Sequence, residues 1–281
     1  MQYAIDVAPL GDLADPAAIV RLAVAAERSG WDGFSTWDSL GVGMGTSAPD
    51  PFVALAAVAC ATARLRLIAS VIALPRRRPQ LVAQSAATLD RLSGGRLVLG
   101  IGAGGDPADF EAFGEPFDGS RIGRFDESAR VVDGLLRGET LHHEGAHYVV
   151  RGVAVGPRPA QRPRPPIWVG GMRPGALRRA AAWDGWLAIG VSDDGATMTL
   201  TPDALAGMVA RIREERAATG AASEAFDVAV FGFCEPPGDE FVATYERAGA
   251  TWWLESLSPM RGSIDALVAR VEAGPPVVGL R

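Results

Sequence analysis

The residues of this chain that could do chemistry stand directly behind short apolar runs. Gly100-Ile101-Gly102-Ala103-Gly104-Gly105 strips the backbone of side chains where one run ends, and Gly170-Gly171-Met172-Arg173 does so again ahead of Pro174-Gly175-Ala176-Leu177. Bare backbone lets a flat ring or an extended chain lie close. The first stretch contains the G-x-G-x-x-G spacing of a dinucleotide site, but it runs into Asp106-Pro107 instead of opening a helix, so that fingerprint is rejected. A ring or chain against Gly102, Ala103 and Gly104 is one reading; a glycine-rich turn with no ligand is the other. In the second stretch, free N–H groups at a helix start make a phosphate site, with Arg173 either adding a charge-assisted contact or simply solvated. A side chain at Gly171 should then block binding without disturbing the fold. Asp38, in Trp37-Asp38-Ser39, can hydrogen-bond a ring nitrogen or carbonyl, or cap the following turn. Ser70-Val71 and Gly190-Val191-Ser192 occupy equivalent places after other runs.

Other chemical combinations carry less. Arg76-Arg77-Arg78 precedes Pro79 and reads as solvated arginines entering a helix. His142, His143 and His147 are of ligand type, but they flank a turn at Gly145 and read as surface residues, so no metal site is expected. These are the only three histidines, and no Ser-His-Asp or Cys-His arrangement follows a strand. Cys60 and Cys234 match no ligand or redox spacing and read as small core residues. All 27 basic residues are arginine, which removes Schiff-base chemistry. No catalytic residue is assigned on these grounds. A net charge of -6 without a basic block argues against nucleic acid. The absence of a leader-like start or of a long uninterrupted apolar stretch leads to the expectation of a cytoplasmic protein with no membrane partner.

These residues need a scaffold, and the chain's rhythm supplies one. Eight β-rich runs alternate with alanine-rich helical stretches: Gln2 to Val7, Gly33 to Trp37, Leu65 to Ala73, Leu97 to Ile101, Pro166 to Gly170, Gly185 to Ile189, Phe226 to Phe233 and Thr251 to Glu255. The pattern predicts an α/β fold, a (β/α)8 TIM barrel in one domain over residues 1–281, with its site at the C-terminal strand ends. Asp15-Pro16, Asp50-Pro51 and Thr201-Pro202 mark helix starts. A quasi-repeat precedes three strands: Ser29-Gly30-Trp31-Asp32-Gly33, Ala182-Trp183-Asp184-Gly185 and Ala248-Gly249-Ala250-Thr251-Trp252. Gly138 to Pro165 breaks the rhythm and reads as an insertion between the fourth helix and the fifth strand, or alternatively as a two-domain linker.

Several longer stretches carry a family likeness. Asp50-Pro51-Phe52-Val53-Ala54-Leu55, Ala61-Thr62-Ala63-Arg64-Leu65-Arg66-Leu67 and the run Leu89-Asp90-Arg91-Leu92-Ser93-Gly94-Gly95-Arg96-Leu97 resemble the luciferase-like monooxygenase family, as do Phe110-Glu111-Ala112-Phe113-Gly114, Arg124-Phe125-Asp126-Glu127 and Pro165-Pro166-Ile167-Trp168-Val169-Gly170-Gly171. The resemblance spans about residues 3–195; beyond it only the architecture matches. It implies a barrel that binds FMN or coenzyme F-420, the 8-hydroxy-5-deazaflavin, and acts by hydride transfer on a small organic substrate, as a homodimer. It places Asp38 and Ser39 at the ring. Ser70-Val71 falls at a third-strand bulge where the family often has a non-proline cis peptide, Gly102 to Gly104 along the ring and ribityl wall, and Gly170, Gly171, Met172 and Arg173 at the phosphate. Two departures matter. Many relatives carry a catalytic His where this chain has Ser39, and the sugar-phosphate dehydrogenases of the deazaflavin branch carry a catalytic Glu where it has Gly105. Ser39 is therefore expected to contribute little, and the alternative is a non-catalytic flavin-binding protein or inactive partner subunit.

Overall fold

In a computed structural model, which describes residues 1–192, 197–234 and 239–276, eight parallel strands close into one barrel. The barrel strands are β1 (Gln2–Val7), β2 (Gly33–Thr36), β3 (Arg66–Ala73), β4 (Leu97–Gly102), β7 (Ile167–Gly170), β8 (Gly185–Ile189), β9 (Asp227–Gly232) and β10 (Trp252–Leu257). Each lies within a residue or two of its expected run. They join in the order β1-β10-β9-β8-β7-β4-β3-β2. Helices α1 (Pro16–Arg28), α2 (Pro51–Ala61), α3 (Pro79–Leu92), α5 (Ser120–Arg137), α6 (Pro174–Ala180), α7 (Pro202–Ala218), α8 (Asp239–Arg247) and α9 (Ile264–Glu272) follow the strands in turn, with a single turn α4 (Ala108–Glu111) ahead of α5.

Local sequence explains these boundaries. Asp15, Asp50 and Thr201 each accept a backbone N–H of the first helical turn, with proline next in line. The quasi-repeat has a common purpose. Asp32 accepts the N–H of Tyr3 at 2.8 Å, Asp184 that of Ile167 at 2.7 Å and Thr251 that of Val228 at 2.9 Å. In each case the turn entering one strand satisfies a backbone donor near the start of the strand two elements earlier, which would otherwise be orphaned at the closed end of the barrel.

Side chains alternate between two cores. Ala4, Ile68, Val98, Trp168, Leu187, Ala229, Phe231, Trp252 and Leu254 fill the barrel's interior, with Trp168 and Trp252 edge to face at 5.7 Å. The larger cluster, including Ile5, Phe34, Leu67, Leu99 and Trp253, lies between strands and helices. Period two then puts Asp6, two residues beyond Ala4, and Ser70, two beyond Ile68, on the inner face above the apolar layer.

The insertion is an antiparallel hairpin, β5 (Leu141–Glu144) with β6 (Val149–Val153), followed by the proline-rich return to β7. Glu127 on α5 accepts the backbone N–H groups of His147 and Tyr148 and pairs with His143 Nε2 at 3.0 Å. Asp90 on α3 holds Gln161, and Arg164 bridges Asp133 and Asp184. The segment is thus fastened to α3, to α5 and to the turn that enters β8.

Candidate functional site

The C-terminal strand ends surround a cavity of about 440 Å³, a volume typical of ligand pockets. Leu10, Trp37, Met44, Phe110, Ile189, Val191, Phe231 and Met260 make most of its wall apolar, while Asp6, Ser70, Ser256 and Ser258 give it polar atoms. Of the expected site residues, Asp38, Ser39, Ser70, Val71 and Gly104 border it, joined by Gly105 and Asp106. Gly102, Ala103, Gly170, Gly171, Met172 and Arg173 do not.

The two glycine stretches have a packing role that their composition does not announce. The register of β3 against β4 slips between Ala69 and Ile72, and the Ser70–Val71 peptide inside that slip is cis. Val71 lines the cavity and is seated between two glycines: a Cβ at Gly102 would stand 2.6 Å from Val71 Cγ2, and one at Gly170 2.8 Å from Cγ1. Gly102 and Gly170 therefore make room for a side chain. Ala103 packs partly against the outer core, as does Met172. Gly104 has φ +79° and would strike the Phe110 ring at 2.8 Å. The expectation that Gly171 tolerates a side chain is corrected: its φ is +128°, a Cβ would sit 2.8 Å from that of Ala176, its carbonyl accepts Trp186 Nε1 at 2.8 Å and its N–H points to Leu187 O at 3.4 Å.

Asp38 is locked in place. Its Oδ2 accepts from Ala73 N at 3.0 Å and Arg77 Nε at 2.9 Å, and its Oδ1 from Arg77 Nη2 at 2.9 Å and Arg76 Nη2 at 2.8 Å. Arg76, only 7% exposed, also reaches Asp109 at 3.3 Å, and Arg77 reaches Asp50 at 2.9 Å. The solvated reading of Arg76 and Arg77 is thus overturned, because acidic partners distant in sequence draw both inward; Arg78 is exposed as expected. Ser39 donates to Asp109 at 3.1 Å and accepts from Gly41 N at 2.9 Å, while Asp109 also holds the N–H groups of Leu40 and Val42. Ser39 is a loop fastener.

Behind Phe110 stands a group of arginines of which the sequence reading singled out only Arg173. Arg121 stacks on Phe117 at 3.6 Å and lies 5.8 Å from the Phe110 ring centre. Burial, with the charges of Arg124 and Arg173 adding to it, lowers the Arg121 pKa against the opposing pull of Asp118. Among the described residues, Nε and Nη1 of Arg121 and Nε of Arg124 are buried without a hydrogen-bond partner. Buried donors left in this state are rare, and three guanidinium groups of like charge suit an anion. For Arg121 and Arg124 the only sequence signal was the family-like stretch that contains Arg124.

Asp6, also missed, sits on the cavity floor at 2% exposure. Its Oδ1 accepts from Ser35 Oγ at 2.7 Å and Ser70 Oγ at 3.3 Å, and the two hydroxyls meet each other. Burial raises its pKa from 3.8 to about 7, against the lowering effect of both serines. The histidines do not line the cavity, and among the described residues no group of three or more potential metal ligands occurs. Cys234 is buried beside Glu255, and burial followed by that carboxylate pushes its thiol up to about 12. Cys60 is exposed, contrary to the core reading, because it falls on the outer side of α2.

Comparison with known proteins agrees with this architecture. The model of the luciferase-like monooxygenase family matches residues 2–253. An uncharacterized protein of Mycobacterium tuberculosis is 35% identical over 218 residues, covering 71% of this chain and 73% of the relative. Among solved structures, a monooxygenase from Streptomyces bottropensis superposes with TM-score 0.79 at 22% identity over 96% of both chains. A coenzyme F-420-dependent tetrahydromethanopterin reductase from Methanopyrus kandleri gives 0.78 at 18% identity over 97% of this chain and 98% of that one. An F-420-dependent secondary alcohol dehydrogenase gives 0.82 at 15% identity over 98% of each. At these identities the structural likeness is one of fold, while the family match covers most of the sequence: the chain belongs to the luciferase-like monooxygenase family.

Proposed function

We propose that the protein is a flavin- or deazaflavin-dependent oxidoreductase that binds FMN or coenzyme F-420 at the barrel mouth and acts on a small, largely apolar organic molecule. The observation that carries this reading is the pairing of a mostly apolar cavity with guanidinium N–H donors of Arg121 and Arg124, beside Arg173, that are buried without a hydrogen-bond partner among the described residues. An apolar pocket takes a flat ring, and arginines with unused donors next to its Phe110 wall take the anionic tail. Val71 on the floor and Gly104 in the wall would meet the ring, and Arg121, Arg124 and Arg173 the phosphate. The neighbours named for coenzyme F-420 and the family match support the same class. Such a cofactor supplies hydride chemistry; the protein supplies binding, orientation and exclusion of water.

Absorbance titration of the purified protein with FMN and with the deazaflavin tests this directly. Binding of one of them in the micromolar range or tighter is expected, and failure of both to bind at about 100 μM refutes the reading. Release of riboflavin at concentrations that retain FMN would show that the arginines read the phosphate.

A further inference from the structure

Resting on the oxidoreductase reading above, we propose that Asp6 is an acid–base residue of the reaction, holding a proton at Oδ2 and exchanging it with an oxygen or nitrogen atom of the molecule bound in the mouth. The placement follows from the strands. Asp6 stands opposite Ser35 on β2 and Ser256 on β10 in the barrel register, with Ser70 of β3 within hydrogen-bond reach, and Asp6, Ser70 and Ser256 all line the cavity. Ser35 and Ser70 both direct their hydroxyls to Oδ1. Among the described residues Oδ2 receives no hydrogen bond, which makes it the oxygen that carries the proton.

Among the described residues, no other group at the mouth is as well suited. Ser39 is held by Asp109 and Gly41 and has no useful proton affinity near neutral pH. Asp38 and Asp109 are paired to Arg76, and Asp38 also to Arg77. Asp106 caps Ala108 on the rim loop. Glu255, the next acidic residue on β10, pairs with Arg261 and Arg270 and hydrogen-bonds Trp253, a residue of the outer core. Among the described residues Asp6 faces serines alone, so neither an adjacent cation nor a second carboxylate among them fixes its charge.

Its chemistry balances without electron transfer at the carboxyl group. The Oδ2–H bond breaks, a new bond forms between that proton and a lone pair on the ligand heteroatom, and the negative charge stays on the carboxylate, stabilised at Oδ1 by Ser35 and Ser70. Burial places the exchange near neutral pH, where a proton donor and its conjugate base are both accessible. The chain thus keeps a proton-active group in the mouth despite Ser39, one supplied from β1 instead of β2.

The experiment compares wild type with Asp6→Asn, which keeps the shape and both serine donors, and with Ser35→Ala. In cofactor-free protein, infrared spectroscopy should show a carboxylic-acid C=O band that titrates with a midpoint of about 7, vanishes in Asp6→Asn and moves to higher pH in Ser35→Ala. With bound FMN, or the deazaflavin if only that binds, the midpoint potential against pH should change slope near the same value in wild type but not in Asp6→Asn. Cofactor affinity should agree within about threefold between the two. A wild-type spectrum lacking the band, or potential profiles identical in both proteins, overturns the proposal. Failure of both cofactors to bind wild type overturns the reading beneath it and the proposal with it, whereas normal binding with unchanged profiles overturns Asp6 alone.

Discussion

Asp6 also makes a quantitative prediction about stability that needs no ligand. Burial raises the pKa of this carboxyl group from 3.8 to about 7 in the fold. Between those values the native state keeps a proton that the unfolded chain has already released, so unfolding free energy must fall as pH rises. The stabilisation is complete below 3.8 and is lost as pH climbs through about 7. Each pH unit is worth about 1.4 kcal/mol, and the interval is roughly three units, so the total is about 4 kcal/mol. Asp6→Asn has no such proton to lose. Urea unfolding of both proteins from about pH 4 to about pH 8 should therefore give a stability difference, wild type minus variant, that drops by about 4 kcal/mol across the range. Every other titrating group cancels in that difference. A difference flat to within about 1 kcal/mol would mean that the Asp6 carboxylate is already charged in the folded protein near pH 5, and the reasoning would fail.

Three further outcomes follow from the same geometry. Asp38→Ala leaves the nearly buried Arg76 with Asp109 as its one acidic partner among the described residues and the half-buried Arg77 with Asp50, and should cost about 3 kcal/mol in urea unfolding, mostly from Arg76, with Asp38→Asn milder. Arg121→Met removes a cation whose buried donors lack partners, so thermal stability should hold or rise while FMN affinity falls about tenfold and riboflavin affinity does not; equal losses for both ligands would move the phosphate elsewhere. Gly102→Ala drives a methyl into Val71 and should destabilise by about 1–3 kcal/mol, with most of that recovered in the Gly102→Ala, Val71→Ala double variant when the cycle is measured by urea unfolding.

The eight barrel strands and their helices were legible in the sequence because their signals are local. Alternation, Asp-Pro and Thr-Pro helix starts and the Trp-Asp-Gly turns act within a few residues, and each found the partner that its chemistry required. That Val71 and Gly104 border the cavity was legible too, since strand ends form the mouth of this fold. What depended on closure of the barrel was not. Gly102 and Gly170 looked like bare backbone for a ligand, yet they accommodate Val71 from a strand more than thirty residues before one and about a hundred before the other. Arg76 looked solvated until Asp38 and Asp109, which lie on other loops, drew it inward. Asp6 gave no signal at all. A single acid in an apolar strand takes its properties from whichever strands flank it, and only the tertiary arrangement decided that these would bring two serine hydroxyls to it.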